Sequence, residues 1–164
     1  MKIGVPKEIK PQETRIGLTP ESVKDLISNG HQVLVENKGG HEAGFENSHY
    51  VSAGAKIVDK AEDIFNDCEI IVKVKEPLSN EVKMIRENQI LFTYLHLAAA
   101  KELTQGLINS KGVCIAYETV TDQNGGLPLL APMSAVAGRM SIQEGAHCLE
   151  TVSYTHLRAH ETAC

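Results

Sequence analysis

Apolar positions along this 164-residue chain recur in two alternating rhythms. Short β-branched runs over 2–6, 32–36, 56–58, 69–75, 89–95 and 113–118 read as strands. Stretches of helical spacing lie between them. In the first helix Thr19 is placed to cap, Pro20 falls in the opening turn, and Glu21 sits beside the positive end. Val23, Leu26 and Ile27 follow at i, i+3 and i+4, and Gly30 stops the helix. Further helices are expected over 48–53, 59–66, 79–86 and 98–110. Asp59 and Glu62 have the three-residue spacing of a capping box, and Pro77 restricts Glu76 and ends the fourth strand. Strand and helix alternating in this way predict an α/β fold, a parallel sheet with helices on both faces.

The pattern changes in the last fifth of the chain. Residues 132–150 read as one long helix capped near Met133 and Ser134. Its small residues, Ala135, Ala137, Gly138, Gly145 and Ala146, predict close approach of another backbone and an interdomain role. Three segments follow: the α/β stretch 1–130, the helix 131–150, and 151–164 as a non-native tail. That tail, TVSYTHLRAHETAC, resembles a translated cloning adaptor. His156 and His160 within it have metal-binding spacing on a helix, but no third ligand accompanies them, and no metal is expected.

Composition narrows the classes. The chain is 42% hydrophobic and 23% charged, enough for one cored domain. A dispersed net charge of -5 and no Trp leave neither a basic patch nor a stacking platform, which argues against a nucleic-acid partner. Cys68, Cys114, Cys148 and Cys164 form no CxxC pair and read as reduced thiols. No apolar run approaches about 18 residues and no charged-then-apolar leader opens the chain, so a soluble, cytoplasmic protein without a membrane partner is expected.

Three side chains stand where chemistry is plausible. Arg15 lies in a polar loop, 7–18, after the first strand, and a guanidinium there can grip a carboxylate through two parallel hydrogen bonds. Lys75 ends an apolar strand, where ligands of parallel sheets bind, and shares a strand face with Lys73. His96 follows the run Ile90–Leu95 and precedes an Ala-rich helix whose positive end favours a neutral imidazole base. A cation for a carboxylate, a donor for a carbonyl oxygen and an acid/base together suit an α-keto or α-amino acid. No G-x-G-x-x-G occurs, so the usual dinucleotide fingerprint is not in this chain.

Four blocks in order, GVPKEIKPQETRIGLTPESVKDLISNG (4–30), VKVKEP (72–77), YLHLAA (94–99) and APMSAVAGRMS (131–141), resemble alanine dehydrogenases and the related transhydrogenase α-subunits across residues 1–150. One departure is Gln12, where the family usually carries asparagine before Glu13. The resemblance implies a Rossmann-like sheet ending in a long interdomain helix, with 1–130 as an incomplete substrate-binding domain and 131–150 as the start of the helix leading to a missing NAD-binding domain. It implies NAD-dependent oxidation of L-alanine to pyruvate and ammonia, with Arg15 and Lys75 on the substrate, Tyr94 lining its pocket, His96 as acid/base, and Met133 and Ser134 near the nucleotide. It implies a cytoplasmic homohexamer for the whole protein. The family's glycine-rich domain and a catalytic aspartate have no counterpart in these residues, so the chain alone is expected to hold a half-site without turnover. The competing expectations are a transhydrogenase α-subunit and a non-catalytic α/β module that binds a small carboxylate.

Overall fold

The computed structural model describes residues 1–152, with side chains through residue 149. The expected tail, with His156, His160 and Cys164, lies outside the described residues, save that the backbone of 151–152 ends the last helix. The chain divides into two units, Met1–Thr119 and the residues from Val120 onward. In the first unit, strands β1 (Lys2–Val5), β2 (Gln32–Glu36), β3 (Lys56–Val58), β4 (Ile70–Val72), β5 (Ile90–Thr93) and β6 (Val113–Ala116) alternate with helices α1 (Pro20–Ser28), α2 (Asn47–Ser52), α3 (Ala61–Asp67), α4 (Ser79–Val82) and α5 (Lys101–Ser110). The second unit holds α6 (Ala131–Val152).

The six strands form one parallel sheet in the order β3-β2-β1-β4-β5-β6. The chain winds outward from β1 to β3, crosses back to β4, and winds the other way. This is the Rossmann-like α/β arrangement expected from the sequence. The reversal opens a crevice beyond the carboxyl ends of β1 and β4, which is where open α/β sheets bind ligands.

Strand alternation sorts the core into two layers. Val33 and Val35 face α1 and α2 with Val5, Val23 and Tyr50. Leu34 faces the other way, with Ile64 and Phe65 of α3, Leu91 of β5 and Leu107 of α5. Each fully enclosed Ile, Leu or Phe contributes roughly 1.5–3 kcal/mol. At edge strand β6 the cover is partial: Val113 and Ile115 are 47% and 39% exposed.

Helix α1 is built as its sequence dictates. Ser22 N–H donates to the Thr19 hydroxyl oxygen (3.3 Å), Pro20 opens the helix, and Gly30 at φ 82° turns the chain out of it. Other boundaries differ from expectation. Asp59 does not cap α3; the helix follows Lys60 without a side-chain cap, and Asp59 instead accepts from Asn37 Nδ2 (3.1 Å) beside β2. The helix expected over 79–86 is the single turn α4, and that over 98–110 is a 3₁₀ turn, Leu97–Ala99, followed by α5.

Within the second unit, α6 begins at Ala131, so Met133 and Ser134 lie inside its first turn rather than capping it. Ser134 N–H bonds Leu130 O at 3.0 Å. Among the described residues nothing lies within 4 Å of a Cβ built on Gly138 or Gly145. Among the described residues no helix is long and apolar enough to cross a membrane. Cys68, Cys114 and Cys148 are free thiols, and burial pushes the Cys68 thiol up to about 11.

Candidate active site

The loop between β1 and α1 carries Arg15 across the carboxyl edge of the sheet, and five contacts hold it there. Lys7 N–H donates to Glu36 Oε2 (2.8 Å) at the end of β2. Glu8 turns inward beneath the end of β4. Lys10 pairs with Glu76 just beyond it. Gly17 packs so tightly that a Cβ would sit 2.6 Å from the Val72 carbonyl oxygen. The Tyr50 hydroxyl, inside the core, donates to Leu18 O (2.9 Å). A 12-residue polar loop is thereby fixed by the chain beneath it rather than by regular structure of its own.

Glu8 is the centre of a buried charged cluster. Its Oε2 lies 3.3 Å from Lys73 Nζ, which reaches Glu81 Oε1 at 2.7 Å; all three side chains are at most 2% exposed. Glu8 Oε1 accepts from the N–H groups of Val74 (2.6 Å) and Lys75 (3.3 Å). Glu81 Oε2 accepts from Leu78 N–H (2.9 Å). The Lys75 carbonyl takes the Thr93 hydroxyl at 2.9 Å. The strand expected to reach Lys75 therefore stops at Val72, because a carboxylate replaces the neighbouring strand as acceptor. Lys73 and Lys75 both lie beyond the strand and differ in surroundings: Lys73 is buried among carboxylates, while Lys75 is half-buried.

Arg15 is gripped by Glu13. Arg15 Nε donates to Glu13 Oε1 (2.8 Å), a terminal guanidinium nitrogen donates to Oε2 (2.7 Å), and Arg15 N–H also donates to Oε1 (2.9 Å). The guanidinium hydrogen bonds hold the Glu13 carboxyl down at about 2, against burial that would raise it, and the Lys75 ammonium adds to the lowering. The Arg15 guanidinium is raised in turn, chiefly by Glu13. The fork thus already presents carboxylate-binding geometry.

Arg15 and Tyr94 line one cavity of about 300 Å³, together with Gly17, Phe45, Lys73 and Tyr117. Lys75 and His96 are not in its lining. The His96 ring stacks on Tyr94 of that lining, at 6.1 Å between centroids and 13° between planes, and the Lys75 charge acts on Glu13, the partner of Arg15. Tyr94 in turn meets Tyr117 edge-on at 4.9 Å, and the Tyr117 hydroxyl donates to Lys73 O (3.0 Å). A larger groove, about 620 Å³, between α4 and α5 contains none of Arg15, Lys75, Tyr94 or His96. Its walls offer no comparable convergence of cation and aromatic hydroxyls.

His96 stands in the left-handed region, φ 51° and ψ 38°, at the end of the chain leaving β5. A 3₁₀ turn, Leu97–Ala99, follows it, and α5 begins at Lys101. The His96 charge acts on two carboxylates, Glu118 and Glu76. Burial raises the Glu118 carboxyl, but hydrogen bonds from the His96, Glu118 and Leu95 backbone outweigh it and leave the group lowered, with a smaller share from the His96 charge. Glu76 is likewise lowered: Lys10 outweighs burial, and the His96 charge contributes less.

Glu8, Glu13, Lys73, Tyr117 and Glu118 were not singled out from the sequence. Lys73 carried a signal, since a lysine inside the run EIIVKVK requires buried counter-charges. Glu118 carried none. Unit one has the strand order of a dinucleotide-binding fold but does not fit a dinucleotide. The β1–α1 connection is a long loop filled by Glu13 and Arg15, where a glycine turn would have to lead straight onto a helix end. Met133 and Ser134 belong to the second unit. Among the described residues no group of three or more His, Cys, Asp or Glu side chains is arranged to hold a metal ion.

Fold and site together define a Rossmann-like α/β domain with an arginine fork and a tyrosine lining one cavity at the switch point of its sheet. Residues 4–137 match the family model described as alanine dehydrogenase/PNT, N-terminal domain, and the chain belongs to that family. It is 53% identical over 150 residues to an alanine dehydrogenase of Halomonas elongata, covering 92% of this chain and 40% of that one. A solved L-alanine dehydrogenase superposes with a TM-score of 0.85 at 54% identity, over 92% of this chain and 42% of that one. A transhydrogenase from Sinorhizobium meliloti is more distant, with a TM-score of 0.70 at 25% identity over 75% of this chain and 36% of that one. The chain spans about 40% of the length of the curated relatives it matches.

Proposed function

We propose that this chain is the substrate-binding part of an NAD-dependent L-alanine dehydrogenase, which converts L-alanine, NAD and water to pyruvate, ammonia and NADH. Residues 1–130 form the substrate domain, and 131–150 begin the helix that leads to a nucleotide-binding domain. The observation that carries the proposal is the cavity shared by Arg15 and Tyr94 at the switch point, with Lys75 and His96 on the adjoining strand ends. Sequence identity above 50% to alanine dehydrogenases, against 25% to the transhydrogenase, favours this chemistry over hydride exchange between nucleotides.

In the proposed site Arg15 holds the pyruvate carboxylate through its fork, in competition with Glu13. The Lys75 ammonium donates to the carbonyl oxygen and draws electron density from the α-carbon. His96 moves a proton to or from the reacting oxygen or nitrogen. Tyr94 fixes the imidazole by stacking and closes one wall. NAD is the hydride acceptor of the overall reaction, held chiefly by a further domain, with Met133 and Ser134 at one edge. The whole protein is proposed to be a cytoplasmic homohexamer.

Calorimetric titration with pyruvate tests the substrate assignment. Roughly millimolar binding, lost on Arg15→Ala, is expected. Binding unaffected by Arg15→Ala contradicts the proposal.

A further inference from the structure

The adjacent strands β4 and β5 both end in an unusual way. Where each ladder stops, a carboxylate from elsewhere in the chain accepts two successive peptide N–H groups. At β4 the carboxylate is Glu8, whose role is bound up with the buried Lys73. At β5 it is Glu118. Glu118 Oε1 accepts from His96 N–H at 2.7 Å and from Leu95 N–H at 3.0 Å, and its Oε2 lies 3.3 Å from Leu95 N. Leu95 is 1% exposed, so its amide has no ready access to water.

The residue so held is the one in the left-handed region. A side chain other than glycine there carries a backbone cost, and such conformations persist where surrounding contacts over-determine them. At His96 those contacts are the two charge-assisted bonds to Glu118. The left-handed turn directs the imidazole back over Tyr94, parallel to its ring. Glu118 is itself located by its neighbour: Tyr117 packs edge-on against Phe92 at 4.3 Å and Tyr94 at 4.9 Å, and its hydroxyl bonds Lys73 O.

We infer that Glu118 is a positioning residue for His96, fixing the left-handed backbone that lays the imidazole over Tyr94 beside the substrate cavity. It does not touch substrate. Its part in catalysis rests on the pyruvate site proposed above; its part in placing the ring does not.

Two readouts on the 164-residue chain separate those parts. Without ligand, NMR contacts between the His96 and Tyr94 rings report the placement directly. With pyruvate, the dissociation constant reports its consequence. Glu118→Ala is expected to abolish the ring contact and raise the pyruvate constant about tenfold. Glu118→Gln keeps an acceptor oxygen but loses the charge. It is expected to shift both readouts in the same direction by less, and it decides the matter should the alanine variant fail to fold. A folded variant that keeps both the ring contact and the wild-type affinity, or loses only stability, overturns the inference. A wild-type chain indifferent to pyruvate refutes the substrate assignment, while the ring contact still tests Glu118.

Discussion

Glu13 grips Arg15 through both carboxylate oxygens, at 2.8 Å to Nε and 2.7 Å to a terminal guanidinium nitrogen. A carboxylate from the chain thus sits in the fork assigned to the substrate's carboxylate. The pairing has a pH signature. The Glu13 carboxyl falls from 4.5 to about 2 on folding, so its contribution to stability is complete above pH 4.5 and is lost as the pH drops toward 2. Arg15 is 42% exposed, so screening limits that contribution to under about 1 kcal/mol. Urea midpoints of wild type and Glu13→Gln should differ at pH 6 and converge only as the pH falls through about 2. A difference that is constant across that range contradicts the linkage.

Replacing Arg15 by lysine keeps the charge and removes the fork. Pyruvate should bind about tenfold more weakly to Arg15→Lys, since planar bidentate geometry is lost. The stability of the folded chain should change little. Equal affinity in the two proteins would mean that the guanidinium acts only as a point charge.

The buried Lys73 cluster and the exposed Lys111–Glu87 pair give opposite expectations. Lys73→Ala leaves two enclosed carboxylates, Glu8 and Glu81, without their cation, and should cost about 3–5 kcal/mol in chemical denaturation. Lys111 and Glu87 are 3.5 Å apart and more than 60% exposed, so Lys111→Ala should cost less than about 1 kcal/mol. Similar losses in the two variants would place Lys73 in contact with water.

Two glycine-to-alanine changes should differ in sign. A methyl group at Gly17 meets the Val72 carbonyl oxygen at 2.6 Å, which is backbone and cannot move aside cheaply. Gly17→Ala should therefore destabilise by about 1–3 kcal/mol and weaken pyruvate binding, because the Arg15 loop must lift off β4. A Cβ built on Gly138, inside α6, meets nothing within 4 Å among the described residues, and Gly138→Ala should stabilise that helix by up to about 1 kcal/mol. Thermal melts of both variants check the pair.

How far the sequence disclosed this arrangement depends on where each instruction is written. Local chemistry was legible: Thr19 caps α1, Gly30 ends it, and the strand-helix alternation implies the parallel sheet. Arg15 and Tyr94 could be singled out by loop position and by block resemblance. Contacts between residues far apart in sequence were not legible. Asp59 has the spacing of a cap but bonds Asn37 instead, because the β2 loop lies beside it. The Lys73 amide still reaches Phe92 O on β5, but the ladder stops short of Lys75 because Glu8, 66 positions before Val74, takes the amides of Val74 and Lys75. His96 adopts a glycine-like backbone because Glu118, 22 positions later, holds it there. No periodicity or propensity encodes these acceptors.

The central claim is that Arg15, Lys75, Tyr94 and His96 serve one small keto acid. Titration of the isotopically labelled chain with pyruvate, followed by NMR, tests it most directly. The account predicts saturable shifts at the Tyr94 and His96 rings and at the Arg15 guanidinium, with one common dissociation constant. Resonances of these groups that stay unmoved up to several times the millimolar range, or that titrate with unrelated constants, would contradict it.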